Sequence, residues 1–341
     1  MEFAITFKGD IDPKRTVALC KQAEAAGFTY AWFFDSHVLW RECYATIAMC
    51  MEHTEKMRFG PCVTNPGVRE WSVAASLYAT LQVQSGGRFD VGIGRGDSSR
   101  RVLGRKPLTV ETMAEFGSAL KKMAAGEEVT YLWDGADTST QIPWVENYDL
   151  PVWYAAYGPK ALATAGQHGD GLIIQLADPW LVKWFSDQAL EAGKASGRDM
   201  SKFRIMAAAP AWVGDMQKAR EQTRWFPAMV GNHVADLVMR YGTEGQNVPQ
   251  RLTDYVEGRK GYDYRHHADK DADHLGFITN DIIDSFGVLG DVDAHVEKLK
   301  ELEAAGVTQY NIYLMCGEEE RIVEEYGNHV IPKAKEVMSN G

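Results

Sequence analysis

The sequence predicts an α/β protein of the (β/α)8 barrel class, also called a TIM barrel, with insertions. Eight short apolar runs alternate along the 341 residues with longer amphipathic segments of helical length. Strands that alternate with helices in this way pair in parallel through right-handed crossovers, and eight such units in a chain of this length fit a closed barrel. A doubly wound open sheet is the main alternative, but no G-x-G-x-x-G follows the first apolar run.

Four predicted strands and three helices come first. In order, they are strand Phe3–Phe7, a helix from Asp12 to Gly27, strand Tyr30–Phe34, a helix over Tyr44–His53, strand Met57–Val63, a helix over Glu70–Gln84 and strand Arg88–Gly94. The strands are rich in apolar residues, as expected when both faces of a sheet are covered. Asp12 before Pro13 is a typical helix start and Gly27 a typical helix end, because Asp caps free N–H groups and glycine adopts the left-handed conformation.

The second half repeats this alternation. Its strands are Pro151–Tyr157, Gly171–Leu176, Phe203–Val213 and Thr308–Leu314, and its helices are Thr109–Ala125, Pro159–Gln167, Asp178–Gly193, Asp291–Ala305 and Glu318–Met338. Residues 128–149, rich in Gly, Asp and Thr, are predicted to form a loop or a small hairpin. The largest insertion, mostly helical by its pattern, lies at about 214–285 between strands seven and eight. No break in composition divides the chain, so residues 1–341 are predicted to form a single domain.

Composition argues against several classes of protein. No run of about 18 apolar residues occurs, which disfavours a membrane span, and the formal charge of −11 is unfavourable for a nucleic-acid binder. The N-terminal MEFAITFKGD has no basic region and no signal-peptide core. The five cysteines are spread without a CxxC pair, which favours reduced thiols over a disulfide framework or a zinc site. We therefore expect a cytoplasmic protein that acts on a small molecule, with neither nucleic acid nor membrane as a partner.

Polar residues and glycines follow several predicted strands, where the chemistry of a barrel gathers. The segments at these strand ends are Asp35–His37 with Trp40 close behind, Gly60–Pro66, Gly94–Arg101, Tyr157–Lys160, Gln175 and Met315–Gly317. We expect them to surround one site at one end of the barrel.

Two of these segments are candidate anion sites. In the first, an otherwise acidic chain concentrates Arg95, Arg100, Arg101, Arg105 and Lys106. Arginines, glycine backbone and the hydroxyl of Ser98 suit phosphate or carboxylate, although a solvated face is the simpler alternative. In the second, Gly158 and Pro159 come where a helix begins, and the free N–H groups of a helix start attract anions. Lys160 either adds positive charge there or points into solvent.

The run from Tyr264 to His274, YRHHADKDADH, raises the hypothesis of a metal site. Its spacing matches no standard zinc or calcium loop, and its place in the insertion favours a polar surface or a subunit contact. The sequence contains no Walker loop, no G-x-S-x-G and no HExxH. A metal-dependent barrel hydrolase is therefore a third hypothesis only.

Five stretches of the sequence carry a resemblance to a known family. They are AGFTYAWFFD (26–35), FGPCVTNP (59–66), GIGRGD (92–97), YGPKALATAGQHGDG (157–171) and FGVLGDVDAHVEKLKELEAAGVTQY (286–310). Together they resemble the bacterial luciferase-like superfamily of flavin and deazaflavin enzymes. The similarity is greatest to the deazaflavin branch typified by methylenetetrahydromethanopterin reductase. The stretches cover most of the chain in the order that the barrel requires.

The resemblance implies a non-prolyl cis peptide bond at Cys62–Val63, at the end of strand three. This bond would form a bulge on which the central ring of a cofactor leans, with Cys62 as a packing residue. The resemblance also implies that the loop after strand five holds the cofactor phosphate through backbone amides. The predicted cofactor contacts are Cys62, Val63, Thr64, Asn65, Gly94, Arg95, Gly96, Ser98, Arg101, Tyr157, Gly158, Pro159, Lys160 and Gln175.

Deazaflavin relatives place an Asp-His pair beside the ring or the substrate, and here Ser36 stands between Asp35 and His37. Both residues are predicted to be catalytic, with His37 donating a proton or orienting the substrate. The alternative is a capping Asp35 and a surface His37. Trp40 is either a pocket wall or a core residue. The resemblance further implies a homodimer.

The predicted function is that of an oxidoreductase which transfers hydride between coenzyme F420, a deazaflavin, and a small organic substrate. An FMN-dependent monooxygenase that uses reduced flavin and O2 is the alternative, and it would need a separate flavin reductase as a partner. A non-catalytic flavin-binding barrel is a further alternative. The organic chemistry belongs to the cofactor in both enzymes, and the sequence leaves the choice between F420 and FMN open.

Overall fold

The structure of the protein, a computed structural model, describes residues 1–231 and 278–339. Eight parallel strands form its central sheet. They are β1 (Glu2–Phe7), β2 (Tyr30–Phe33), β3 (Arg58–Pro61), β4 (Val91–Ile93), β7 (Val152–Ala155), β8 (Gly171–Ile174), β9 (Arg204–Ala209) and β12 (Gln309–Tyr313). Neighbouring strands follow the order β3-β2-β1-β12-β9-β8-β7-β4.

The two edge strands, β3 and β4, meet and close the sheet into a barrel. The N–H of Asp90 donates to the carbonyl oxygen of Phe59, and the N–H of Thr64 donates to that of Gly92, both at 2.9 Å. Phe59 pairs with Phe89 in parallel register across this seam, and Thr64 pairs with Ile93. The predicted (β/α)8 barrel is confirmed.

Helices surround the barrel. They are α1 (Pro13–Ala25), α2 (Cys43–Glu52), α3 (Trp71–Ser85), α4 (Asp97–Arg101), α5 (Val110–Ala124), α6 (Pro159–His168), α7 (Pro179–Ala195), α8 (Met216–Thr223), α9 (Asn280–Phe286), α10 (Val292–Ala304), α11 (Glu319–Glu325) and α12 (Ile331–Ser339). The predicted limits of α1 are confirmed, because the carboxylate of Asp12 accepts the N–H of Lys14 at 2.9 Å and Gly27 has a φ of +94°. The short helix α4 is an addition to the predicted elements.

Residues 128–149 contain the small hairpin that was one of two predictions for this stretch. Strands β5 (Val129–Trp133) and β6 (Ala136–Thr140) pair in antiparallel register. Asp134 and Gly135 connect them with φ values of +50° and +78°. A two-residue hairpin turn needs positive φ at both positions, which Asp-Gly tolerates.

The prediction of one continuous strand over Phe203–Val213 was wrong. Strand β9 ends at Ala209, and a separate strand β10 (Ala211–Val213) pairs with β11 (Val288–Gly290) outside the barrel. Pro210 lies between them and has no N–H to continue the barrel ladder. Its carbonyl oxygen instead accepts the N–H of Val288 at 3.1 Å.

The helix predicted over Glu318–Met338 is confirmed, because residues 319–339 are helical throughout, with one irregular turn. A π-helical turn at Tyr326–Val330 separates α11 from α12. Pro332 follows directly and lacks the N–H that a regular helix would use there. Within the predicted insertion, α8, helical residues 225–231 and most of α9 are described. Its remaining part, including the Tyr264–His274 run, lies outside the described residues.

The lower end of the barrel interior is filled by charged and aromatic side chains. The carboxylate of Asp90, fully buried, accepts bonds from Arg58, from Arg204 at 3.1 Å and from Nε1 of Trp153 at 2.9 Å. One layer higher, the hydroxyl of Thr6 donates to Oδ1 of Asn311 at 2.9 Å. The interior is therefore a packed core, as is usual in this fold, and a ligand site has to lie above it, at the C-terminal ends of the strands.

One buried histidine on α10 connects the π-helical turn to strand β10. His295 on α10 is fully buried, with Nδ1 2.9 Å from the hydroxyl of Tyr326 and Nε2 3.0 Å from the carbonyl oxygen of Trp212. Burial lowers the pKa of His295 from 6.5 to about 4, although its bond to Trp212 opposes the shift. His295 therefore stays neutral in the folded protein at a pH where it is protonated in the unfolded chain.

We predict that the free energy of unfolding falls as the pH drops from about 6.5 to about 4. Across this window His295 is protonated in the unfolded chain but not in the folded protein, so the free energy of unfolding falls by up to about 3 kcal/mol. Below about pH 4, His295 is protonated in both states and its effect on the free energy of unfolding no longer changes with pH. His295→Gln should remove this component of the slope in denaturant titrations at several pH values. His168→Gln, at an exposed position, is the control, and an unchanged slope in His295→Gln would contradict the prediction.

Candidate active site

Most of the segments predicted to surround the site meet at one end of the barrel, which we call the mouth. The loop after β2 is bonded to residues after β3 and β4, through Asp35 with Thr64 and Ser36 with Ser98. The residue Tyr157 after β7 is bonded to Gln175 after β8. The edge-to-face rings of Phe34 and Tyr313, with centroids 5.4 Å apart, link β2 to β12.

The peptide bond between Cys62 and Val63 is cis, at the position that the resemblance implied. We call residues 62–64 the ledge. Cys62 is buried and its N–H donates to the carbonyl oxygen of Phe33 at 2.6 Å, while Val63 is partly buried. Burial raises the pKa of the Cys62 thiol to about 12. Cys62 is therefore a protonated packing residue at neutral pH, as expected from the sequence.

Glycines let β4 approach the ledge. A Cβ atom on Gly94 would lie 2.7 Å from Cγ2 of Val63, and one on Gly92 would lie 2.5 Å from the carbonyl oxygen of Pro61. Both distances are too short for a side chain, so the contact between β4 and the ledge requires glycine at these positions.

Asp35 is the centre of a buried polar cluster beside the ledge. It is 3% exposed, and its Oδ2 accepts bonds from Oγ1 of Thr64 at 2.7 Å, Nη1 of Arg69 at 2.5 Å and the hydroxyl of Tyr44 at 3.3 Å. Arg69 also lies over the Tyr44 ring, 4.6 Å from its centroid. Burial opposes the charge of Arg69, but Tyr44 and Asp35 outweigh it and raise the pKa of Arg69.

This cluster fixes the position of Asp35. Removing one partner from a buried ion pair leaves an uncompensated charge and typically costs roughly 3–5 kcal/mol, so Arg69 and Asp35 depend on each other. Because Thr64 follows the cis bond directly, the carboxylate ties the loop after β2 to the ledge. The structure thus places Asp35 at the mouth, with one of its oxygens already bonded to three donors.

The other residues of this loop have different surroundings. The hydroxyl of Ser36 lies 3.1 Å from that of Ser98. His37 is exposed in the turn that follows, where the N–H groups of Leu39 and Trp40 donate to the carbonyl oxygen of Ser36. Trp40 is partly buried and packs against Phe34, with ring centroids 5.3 Å apart. The catalytic roles predicted for Asp35 and His37 stay predictions.

The segment after β4 begins with a turn that only glycine fits. Gly96 has a φ of +81°, and a Cβ atom there would lie 2.7 Å from Oδ1 of Asn65. Asn65 is buried and donates to the hydroxyl of Ser99 at 2.9 Å. Asn65 thereby joins the end of the ledge to α4.

Arg95 and Arg101 of this segment are exposed and bonded to neighbours. Arg95 donates from Nε to the carbonyl oxygen of Leu108 at 2.6 Å. Arg101 pairs with Asp97 on the same short helix. Because both pairings are at the surface, they are weak and can be exchanged for an anionic ligand.

The helix α6 begins at the mouth, as predicted, with Gly158 at its N-cap and Pro159 next. No side chain caps this helix start. Lys160 pairs with Glu111 on α5, both of them exposed, and this bond lowers the pKa of Glu111 to about 2. The positive charge of Lys160 is thus already engaged, whereas the N–H groups at the start of α6 have no side chain that competes with a ligand.

Gln175 joins two tyrosines at the mouth. Its Oε1 accepts the hydroxyl of Tyr157 at 2.9 Å, and its Nε2 donates to the hydroxyl of Tyr313 at 2.6 Å. Tyr313 packs edge-to-face on Phe226, with centroids 5.6 Å apart. Gln175 and Tyr157 are partly buried, whereas Tyr313 is fully buried.

Sequence reasoning missed four residues of this arrangement, namely Tyr44, Arg69, Phe226 and Tyr313. The alternation in TQYNIYL puts Tyr313 on the same face as Gln309 and Asn311, so that residue could have been found. Arg69 gave no local signal, because its role depends on Asp35, which lies 34 positions earlier in the chain.

Within residues 1–231 and 278–339, no three His, Cys, Asp or Glu side chains are grouped as metal ligands would be. None of the helices in these ranges has the length and apolar character needed to cross a bilayer. All five cysteines are unpaired and buried; the expected cytoplasmic location stays a prediction.

Comparisons with known proteins give the family. A family model described as luciferase-like monooxygenase matches residues 1–309. The 5,10-methylenetetrahydromethanopterin reductase of Methanopyrus kandleri is 28% identical over 98% of this chain and 99% of that protein. The F420-dependent hydroxymycolic acid dehydrogenase of Mycobacterium tuberculosis is 28% identical over 72% of each chain.

A solved structure agrees with these matches. The coenzyme F420 dependent tetrahydromethanopterin reductase from Methanopyrus kandleri superimposes with a TM-score of 0.80 and 26% identity, over 98% of this chain and 99% of that one. The resemblance that was inferred from five short stretches is therefore confirmed over nearly the whole chain. This protein belongs to the luciferase-like monooxygenase family.

Proposed function

We propose that this protein is an F420-dependent oxidoreductase that transfers hydride between the deazaflavin and a small organic substrate. The observation that carries the proposal is the alignment of 98% of this chain with a methylenetetrahydromethanopterin reductase, in a barrel whose mouth sets the glycines of β4 against the ledge. Bound F420 would supply or accept the hydride, while the protein supplies position and electrostatics.

The residues of the mouth fit such a cofactor. The uncapped start of α6 at Gly158 and Pro159 offers backbone N–H groups to a phosphate. The ledge, together with Asn65 and Gln175, would contact the ring of the cofactor. Gly94 and Gly96 let the backbone of their segment approach Val63 and Asn65. Ser98 would offer its hydroxyl to the cofactor, and Arg95 and Arg101 would contact its anionic tail. In this arrangement Tyr157 and Lys160 border the phosphate.

Asp35 and His37 have different roles in this proposal. Asp35 positions Thr64 and hence the ledge, because its Oδ2 is held by three donors. His37 is exposed in the loop beside the mouth and is the group that we assign to proton transfer.

We predict that the two residues differ in the pH dependence of turnover. His37→Gln should lower kcat and remove the limb of the profile that reports imidazole protonation, because glutamine cannot move a proton. Asp35→Asn should lower kcat without removing a limb, since it only loosens the ledge. Steady-state rates from pH 5 to 9 would measure this, and loss of a limb in Asp35→Asn would reverse the assignment.

The FMN-dependent monooxygenase is the second candidate, favoured by the description of the matching family model. It would take two electrons from a separate flavin reductase and consume O2. A non-catalytic barrel that only binds flavin is the remaining alternative. The three differ in which cofactor binds and in whether a substrate is turned over.

We predict that the purified protein binds F420 more tightly than FMN in fluorescence titrations. Gly158→Asp should weaken F420 binding at least tenfold, because a negative charge then faces the phosphate. Gly158→Ala is the matched control. Its added Cβ carries no charge, and the φ of −81° and ψ of 154° suit any residue.

Three outcomes would contradict these expectations. Tighter binding of FMN, with O2 consumed on turnover, would favour the monooxygenase. Binding without turnover of any substrate would favour the binding protein. Equal effects of Gly158→Asp and Gly158→Ala on F420 affinity would mean that the phosphate does not bind at the start of α6.

We also propose that the protein is a homodimer formed through α2 and α3. Helix α3 carries no charged residue, although Val73 and Val83 on its outer face are exposed. Met49 on the neighbouring α2 is exposed as well. An uncharged outer face of this kind is unusual on a monomer and typical of an interface.

We predict a mass of twice 38.0 kDa in sedimentation equilibrium. Val83→Glu should shift the protein toward the monomer, because it buries a charge in the interface. Leu132→Glu is the control: Leu132 is 66% exposed on the hairpin, against 77% for Val83 on α3. A monomeric wild type, or equal effects of the two substitutions, would rule out this interface.

A further inference from the structure

The hydrogen bonds around Gln175 have a fixed direction. The backbone N–H of Gln175 donates to the Tyr157 hydroxyl at 3.1 Å, so the hydrogen of that hydroxyl is directed to Oε1 at 2.9 Å. The side-chain amide then has only its Nε2 hydrogens to offer Tyr313, which accepts one at 2.6 Å. The hydroxyl hydrogen of Tyr313 is left without an acceptor among the described residues.

The position of this hydroxyl is also fixed. Tyr313 is the last residue of β12, and its side chain shares the inward face with Gln309 and Asn311, which bond to Trp32 and Thr6 inside the barrel. The rings of Phe34 and Phe226 hold it edge-to-face at interplanar angles of 81° and 87°. The group is therefore preorganised at the top of the core, where the mouth begins.

The hydroxyl stays protonated at neutral pH. Burial raises the pKa of Tyr313, and the proximity of Cys62 and Tyr157 raises it further. Its bond to Gln175 places the hydroxyl at the mouth. A buried O–H without an acceptor costs free energy, so a ligand gains affinity when its oxygen accepts a hydrogen bond from this hydroxyl.

We infer that Tyr313 donates a hydrogen bond to a carbonyl oxygen of the ligand bound at the mouth, and that Gln175 and Tyr157 set its direction. This rests on the proposed function, in which a planar heterocycle and its substrate occupy the mouth. The carbonyl belongs either to the ring or to the substrate, and a ligand with only N–H groups at this point would gain nothing from Tyr313.

Binding and turnover of Tyr313→Phe test the inference and separate the two sources. If the ring carries the carbonyl, F420 affinity falls roughly tenfold in fluorescence titration, as for one lost hydrogen bond. If the substrate carries it, F420 affinity is unchanged and KM rises or kcat falls by a similar factor. No change in any of these three quantities overturns the inference.

Tyr310→Phe is the matched control, because Tyr310 lies on the same strand and faces outward. Its hydroxyl donates to the carbonyl oxygens of Ala209 and Pro210, both at 3.3 Å. Tyr313→Phe alone would also leave Nε2 of Gln175 without its acceptor. The comparison is therefore made in ligand-free protein that carries Gln175→Met, which removes this donor. There, adding Tyr310→Phe should lower the unfolding midpoint, whereas adding Tyr313→Phe should leave it unchanged or raise it, because the Tyr313 hydroxyl then makes no bond to the described residues. An equal loss in both variants would mean that the Tyr313 hydroxyl is satisfied within the protein, and would overturn the inference.

This last measurement needs no cofactor, so it tests the inference even if wild-type protein binds neither F420 nor FMN and the proposed function fails.

Gln175→Glu tests the direction of the bonds. A carboxylate accepts hydrogens from both tyrosines, so it would turn the Tyr313 hydroxyl away from the ligand. Adding Tyr313→Phe to Gln175→Glu should then cause no further loss of ligand binding or turnover, although each single variant is impaired. Additive losses would overturn the role of Gln175.

Discussion

Thr64 makes backbone hydrogen bonds to β4 and a side-chain hydrogen bond to the loop after β2, and the shape of the mouth depends on both. Its N–H donates to Gly92 and its carbonyl oxygen accepts the N–H of Gly94, so the backbone that follows the cis bond completes the closure of the barrel. Its hydroxyl donates to Asp35, which connects the same residue to the loop after β2. One residue thus joins the ends of three strands, and the space above the core takes its shape from that junction.

The contacts around this junction differ in strength according to burial. The side chain of Asp35 is 1% exposed and that of Arg69 is 18% exposed, so removal of either would leave a charge that water solvates poorly. Arg101 with Asp97 and Lys160 with Glu111 are exposed pairs, which contribute little to stability. The buried pair therefore determines the geometry of the mouth, while the exposed pairs remain exchangeable.

This difference bears on how an acidic protein can hold an anionic cofactor. With a formal charge of −11, the chain has no general attraction for anions. Arg101 and Lys160 are engaged by carboxylates and Arg95 by a backbone carbonyl oxygen, whereas no side chain caps the backbone N–H groups at the start of α6. Anion binding at this mouth is expected to rely on helix N–H groups first and on arginines second.

The sequence alone predicted the class of fold, because apolar runs and helical periodicity are local properties. It also predicted the strand ends that carry the site, since the order of strands in a barrel brings their C-terminal ends to one edge. Its error in the strands lies at Pro210, where a single proline interrupts the barrel ladder, since this residue looks compatible with its neighbours and acts by a missing N–H.

The partners within the site were decided by the tertiary structure. Arg69 meets Asp35, Lys160 meets Glu111 and Tyr313 meets Gln175 across separations of 34, 49 and 138 residues. No pattern along the chain encodes such pairs, because their energy depends on distance and burial, which exist only once the strands have closed. The sequence by itself therefore determined which strand-end segments reach the mouth, and only the folded barrel decided which side chains join them there and which of these are bound to one another.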